Sequence, residues 1–216
     1  MILRLGVPKE PENETRVGIV PSSMKKLLKA GFEVLIEKGA GVSANYSDAD
    51  YEAAGAKIVS RVDALACENI VCINFPGIEG ISENTNLACV ADPFRNPEYV
   101  KQCISSNITL MSMDMIPRRL SRAQSMDVNS SQDNLAGYKA VLLGAANVPK
   151  GIPMMTTSAG TVRPAKVVVM GSGVAGLQAI ATAKRLGAVV YASDVRKSAA
   201  EPVSYTHLRA HETIDD

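Results

Sequence analysis

The sequence has 216 residues, 46% of them apolar and 21% charged, with a formal net charge of +1. That length supports one or two domains with a substantial core, and the balanced charge gives no basis for a nucleic-acid or anionic-membrane partner. No apolar run approaches the roughly 20 residues that span a bilayer, and the N-terminal MILRLGV lacks the basic–apolar–small layout of a signal peptide.

Ile2 to Val7 reads as a strand, followed by the polar loop PKEPENETRVGIVP. Ser22 or Ser23 is expected to cap a short helix, MKKLLKA, which Gly31 stops. Phe32 to Ile36 is the next strand and ends in the turn Lys38-Gly39-Ala40-Gly41. A short helix over Asp48 to Ala54 and a strand over Lys57 to Val59 follow, then a helix over Val62 to Glu68 and a buried strand over Ile70 to Ile73. Leu87 to Ala91 is a strand, Pro97 to Ser105 a helix, and Ile108 to Met113 a further strand. Met111, Met113 and Met115 alternate along this last segment and are expected to fill the core from one face.

Strands alternating with short helices imply a mainly parallel α/β sheet, doubly wound if its crossovers keep the usual hand. The four cysteines, Cys67, Cys72, Cys89 and Cys103, form no C-x-x-C pair, and three lie in or beside apolar runs. They read as buried, reduced thiols of a cytosolic compartment. In the first loop, Lys9 and Arg16 are candidates for binding an anionic group, with a structural loop contact as the alternative for Arg16.

Ile116 to Tyr138 connects to a second lobe; a helix starting at Ser130 or Ser131 runs to about Ala146, and a loop continues through Pro153. The stretch KVVVMGSGVAGLQAIATAKRLGAVVYASD, from Lys166 to Asp194, then sets a β-branched run against the pattern Gly171, Gly173, Gly176. It continues into an alanine-rich helix, a second apolar run and a terminal acid. In that strand–turn–helix–strand order a G-x-G-x-x-G has physical meaning. Gly171 permits the tight turn, Gly173 lets backbone approach a pyrophosphate, and Gly176 lets helix and strand pack closely. Amides at the helix start face the phosphates with the helix dipole behind them. The candidate cradle is therefore Gly171, Ser172, Gly173, Val174, Ala175 and Gly176, with Asp194, Val195 and Arg196 at the adenosine end. The Asp194 carboxylate favours NAD(H), because a 2′-phosphate would be repelled; Arg196 is the feature that argues for NADP(H).

Near the C-terminus, PVSYTHLRAHET resembles the translated read-through of a transposase-type sequencing adapter, which matches Val203 to Thr213. Residues 202–216 are therefore expected to be adapter-derived, with Glu201 the last natural residue. His207 and His211 have the i, i+4 spacing of a helical metal pair but fall inside that stretch, so no metal site is assigned. The remainder holds no histidine and stops one β–α–β unit into a nucleotide-binding lobe.

Four segments resemble one family, the NAD(H)-binding domain I of proton-translocating NAD(P) transhydrogenases within the alanine dehydrogenase/transhydrogenase superfamily. They are GVPKEPENETRVGIVP, SRAQSMDVNSSQDNLAGYKA, PMMTTSAGTVRPAKVVVMGSGVAGLQAIATAKRLGAVV and ASDVR. The resemblance implies an α/β fold of two Rossmann-like lobes with parallel sheets, residues 1–130 forming the first and 131–201 the start of a truncated, NAD(H)-binding second lobe. It implies hydride exchange between NAD(H) here and NADP(H) on a partner domain, coupled to proton movement through a membrane domain. It further implies a homodimer of domain I and a place on the cytoplasmic face of the inner or plasma membrane. By the same resemblance Arg119, Gln124, Asp127 and Ser130 surround the nicotinamide; one extra residue in Pro117-Arg118-Arg119-Leu120 makes Arg118 the alternative to Arg119.

The chemistry of these side chains is compatible with that placement. Gln124 donates to and accepts from a carboxamide, and Arg119 and Asp127 can fix each other or the ring. An alanine dehydrogenase-like reaction is the alternative, but it releases a proton and calls for an acid/base. Those enzymes use a Lys and a His where this chain reads VCINFPG and ACVADPFRNPE, with Asp92 in the histidine's place. A non-catalytic NAD(H)-binding module is the third reading. Because the second lobe's sheet lacks its later strands, residues 1–201 alone are expected to be inactive and insoluble.

Overall fold

The computed structural model describes residues 3–117 and 120–195, and the chain divides between Asp127 and Val128 into two compact units. The first unit is built on six parallel strands: β1 (Leu3–Val7), β2 (Phe32–Glu37), β3 (Lys57–Val59), β4 (Asn69–Asn74), β5 (Asn86–Val90) and β6 (Thr109–Ser112), in the order β3-β2-β1-β4-β5-β6. The chain moves outward from β1 to β3 and then returns to the other side of β1. That reversal is the switch point of a doubly wound sheet, where ligands bind beyond the strands' carboxyl ends. The helices α1 (Met24–Lys29), α2 (Asp48–Ala53), α3 (Arg61–Leu65) and α4 (Pro97–Ser105) form the crossovers.

Two apolar clusters hold this unit together. Leu5, Val7, Val34 and Ile36 pack with Met24 and Tyr51, while Ile70, Leu87, Cys89 and Ile108 pack with Cys103. The Tyr51 hydroxyl is satisfied by donating to the Ile19 carbonyl at 2.8 Å, and burial pushes its pKa up to about 12. All four cysteines are buried and free. Burial pushes the Cys67 and Cys103 thiols up, and contact with Cys89, then burial, does so for Cys72. Such thiols are poor nucleophiles.

Local details of this unit differ from expectation in two places. Neither Ser22 nor Ser23 caps α1 with its side chain; Pro21–Ser23 forms a 3₁₀ turn that leads into it. Proline at the first position has its φ preset and no N–H needing a cap. The side-chain caps belong instead to Ser47, in a capping box with Asp50, and to Ser60, which accepts from the Asp63 amide at 3.2 Å. The methionines do not share a strand face: β6 stops at Ser112, Met113–Met115 is a 3₁₀ turn, and Met111 and Met115 are nearly half exposed. β6 is the last strand of its sheet, so an edge position and not the core decides their burial.

In the second unit, α5 (Val128–Asn147) begins before either expected serine. A hairpin of β7 (Met155–Thr157) and β8 (Gly160–Val162), which the sequence reading passes over, precedes β9 (Lys166–Met170), α6 (Val174–Arg185) and β10 (Val189–Ser193). β9 and β10 pair in parallel. Val167, Val169 and Val190 face a small core with Ile180 and Ala183 of α6 and Val141 of α5. On the alternate positions Val168 is 66% and Met170 88% exposed, so the other sheet face is uncovered among the described residues. A parallel sheet is normally covered on both faces. No helix among the described residues is long and apolar enough to cross a membrane.

Candidate functional site

The turn between β9 and α6 is made by its glycines. Gly171 has φ +97, a conformation that side chains rarely adopt, and a Cβ built there meets nothing within 4 Å. A side chain there would strain the backbone without meeting a neighbour. Gly176 is different: its Cβ would lie 1.8 Å from the Gly171 carbonyl oxygen, so only glycine lets the helix seat against the turn. Gly173 caps α6 with extended backbone and no side-chain hydrogen bond, and no acidic residue lies in the first turn. First-turn amides without a side-chain cap beside a positive helix end suit a pyrophosphate.

Asp194 follows β10, and its Oδ2 accepts the Ser172 backbone N–H at 2.7 Å. The Gly171 N–H donates to the Ser193 carbonyl, also at 2.7 Å. Glycine turn and terminal acid are therefore one hydrogen-bonded unit. Ser172 is buried, Val174 and Ala175 form the first turn of α6, and Val195 is exposed just beyond the acid. Arg196 lies outside the described residues, as do Arg118 and Arg119.

One glycine in this assembly escaped the sequence reading. Gly137, buried on α5, would place a Cβ 2.0 Å from the Ala175 carbonyl oxygen. The start of α6 is consequently wedged between the glycine turn and α5. The available signal was a glycine inside a helical pattern, which costs about 1 kcal/mol against alanine and so asks for a packing reason.

The other predicted residues are divided between the units. Gln124 opens a 3₁₀ turn (Gln124–Met126) and is exposed; Asp127 follows it with φ −74 and ψ 86, outside any helix or strand. Ser130 sits in the first turn of α5. Asp127, Asn129 and Ser130 all take part in polar interactions. Gln124 and Asp127 belong to the first unit and Ser130 to the second, which also carries the glycine turn.

In the first unit Arg16 is held by Glu14: its Nε donates at 2.8 Å, Nη2 at 2.7 Å and its backbone N–H at 2.9 Å. This is the loop contact envisaged as the alternative to anion binding. Hydrogen bonds from the Arg16 side chain hold the Glu14 carboxyl down at about 2, against 4.5 for an ordinary glutamate. A depressed carboxyl stabilises the fold above its unfolded pKa, and that contribution is lost as pH falls through the folded one. Thermal unfolding should therefore show a stability loss between about pH 5 and pH 2 that Glu14→Gln reduces; identical pH profiles would remove the pair's role. Asp92, two residues past β5, has φ +43 and pairs with Arg95 at 3.5 Å. Phe75, after β4, stacks on Tyr99 with centroids 4.3 Å apart.

Two family models match the chain: alanine dehydrogenase/PNT, N-terminal domain, over residues 6–136, and alanine dehydrogenase/PNT, C-terminal domain, over 140–215. A NAD(P) transhydrogenase subunit alpha polypeptide from Rhodospirillum rubrum is 48% identical, the match covering 93% of this chain and 55% of that protein. A crystal structure of transhydrogenase from Sinorhizobium meliloti superposes with a TM-score of 0.94 at 43% identity, covering 98% of this chain and 62% of the other. An L-alanine dehydrogenase structure gives 0.82 at 30% identity, covering 94% and 58%. The chain thus spans little more than half the length of these relatives.

Proposed function

Because the chain belongs to the alanine dehydrogenase/PNT family, we propose that it is the NAD(H)-binding part of a proton-translocating transhydrogenase. The observation that carries this reading is the glycine turn of β9 and α6, with its uncapped first-turn amides and Asp194 bonded to the Ser172 amide. In it, Gly171, Ser172, Gly173 and the first turn of α6 (Val174, Ala175, Gly176) would hold the pyrophosphate. Asp194 would take the ribose, with its charge disfavouring a 2′-phosphate. NAD(H), when bound, supplies a hydride donor or acceptor at its nicotinamide. Gln124, Asp127, Ser130 and Arg119 or Arg118 would orient that ring, and NADP(H) would be held by a partner domain. The greater similarity to a transhydrogenase subunit than to an alanine dehydrogenase supports this choice.

The chemistry of the first unit points the same way. Direct exchange between two nicotinamides needs alignment more than an acid or base at that step, and no histidine occurs before residue 207. At the places where alanine dehydrogenases use Lys and His, the described chain has the Phe75–Tyr99 stack and the Asp92–Arg95 pair. The complete protein would work as a homodimer with NADP-binding and membrane parts, at the cytoplasmic face of the membrane.

The test mixes the full-length protein carrying this chain with a transhydrogenase NADP-binding domain and follows reduction of an NAD analogue by NADPH. Hydride transfer is expected, with no NADH formed from NAD and L-alanine. NADH binding without transfer would leave a binding module; sustained turnover with L-alanine would make it an amino-acid dehydrogenase.

A further inference from the structure

The switch point between β1 and β4 opens onto a cavity of about 200 Å³ bordered by Lys9, Arg61, Cys72 and Phe75. Such a crevice is where a doubly wound sheet usually receives a ligand, through backbone amides beyond the strand ends. Here those amides already have an anion. Glu10 is only 8% exposed, and its Oε1 accepts the Ile73 N–H at 2.5 Å. Its Oε2 accepts the Asn74 N–H at 3.1 Å and the Asn74 side-chain amide at 3.0 Å. The same Asn74 side chain donates to Glu14 at 3.2 Å, so the loop between β1 and α1 is tied twice to the end of β4.

We propose that the end of β4 is a carboxylate-binding cradle whose ligand is the chain's own Glu10. Three donors converge on one carboxylate, a geometry that strengthens each bond because the acceptor is charged. Filling the cradle from within removes the first unit's strand-end amides from competition for phosphate. Among the described residues, the glycine turn at β9 and α6 then remains as the candidate dinucleotide site. The ligand class that fits the vacated cradle is a small monocarboxylate.

Two variants of the full-length protein test this. Glu10→Ala should lose thermal stability, and formate or acetate should restore part of it by binding the folded state. Chloride at equal ionic strength should not, and the wild-type protein should show no carboxylate-specific gain. Glu10→Gln keeps the shape but offers an NH₂ where a donor needs an acceptor. Its Asn74 amide should exchange with solvent about tenfold faster, the equivalent of one net hydrogen bond. Equal responses to chloride and acetate in Glu10→Ala, or unchanged exchange at Ile73 and Asn74 in Glu10→Gln, would overturn the proposal. If Glu10→Ala does not fold even with acetate, the exchange measurement decides alone.

Discussion

Gly176→Ala should abolish tight NADH binding and lower the unfolding temperature of the full-length protein. The added methyl carbon would sit 1.8 Å from the Gly171 carbonyl oxygen, a backbone atom that cannot rotate away. Either α6 must lift from the turn or the turn must open, and both displace the amides of Gly173 and Val174 that are to face the pyrophosphate. Lifting is opposed on the far side, because Ala175 already touches Gly137 of α5. Overpacking of this kind costs about 1–3 kcal/mol, and more where neither side yields. For about 150–250 residues that lowers the midpoint by about 2–4 °C per kcal/mol, and by less in the longer full-length protein. Gly171→Ala is the informative comparison. Its methyl meets nothing within 4 Å, so its cost is the φ +97 strain alone, about 1–3 kcal/mol. The alanine at 176 should harm binding more than the alanine at 171. The reverse order would mean that the turn's conformation, and not the seating of α6, controls the cradle.

Gln124→Asn and Asp127→Asn should slow hydride transfer by about 100-fold, the scale on which a displacement of about 1 Å acts. NADH affinity should change by less than about threefold, since the adenosine and pyrophosphate contacts supply most of it. Both residues lie in the short span between β6 and α5, Gln124 exposed at the start of a 3₁₀ turn and Asp127 just after it. Neither is buried in the first unit's core, so neither substitution should unfold it. The variants therefore separate orientation from anchoring. Single-turnover transfer measured beside NADH titration gives the split, and equal losses in both would reduce these residues to anchors. Substituting Arg118 and Arg119 in turn would show which of them shares the task.

Much of this is legible in the residues. β1, β2, β3, β4, β5 and α4 lie within a residue or two of where apolar runs and turn residues put them, because buried parallel strands are short apolar runs with clear punctuation. The glycine turn is legible because each glycine answers a separate steric demand, and the structure repeats two of those demands at Gly171 and Gly176. α1 starts at Met24 as expected, with Ser23 at its N-cap, but the 3₁₀ turn from Pro21 leads into it and the serine side chain makes no capping bond. Met113 and Met115 depart from expectation because alternation shows a shared face only while the strand lasts, and β6 ends at Ser112.

The sequence by itself determined the alternation of strands and helices, the glycine turn from Gly171 to Gly176, and an acid, Asp194, at the end of the following strand. These are local matters, decided by periodicity, by backbone sterics and by charge. Only the tertiary structure decided that Asp194 reaches back to the Ser172 amide, that Gly137 clamps the start of α6, and that Glu10 fills the crevice at β4. Each of those joins residues between 22 and 64 positions apart or on separate helices, where no pattern along the chain records the contact. Strand order made the last one possible: β4 returns to the side of β1, and the loop after β1 finds its donors there.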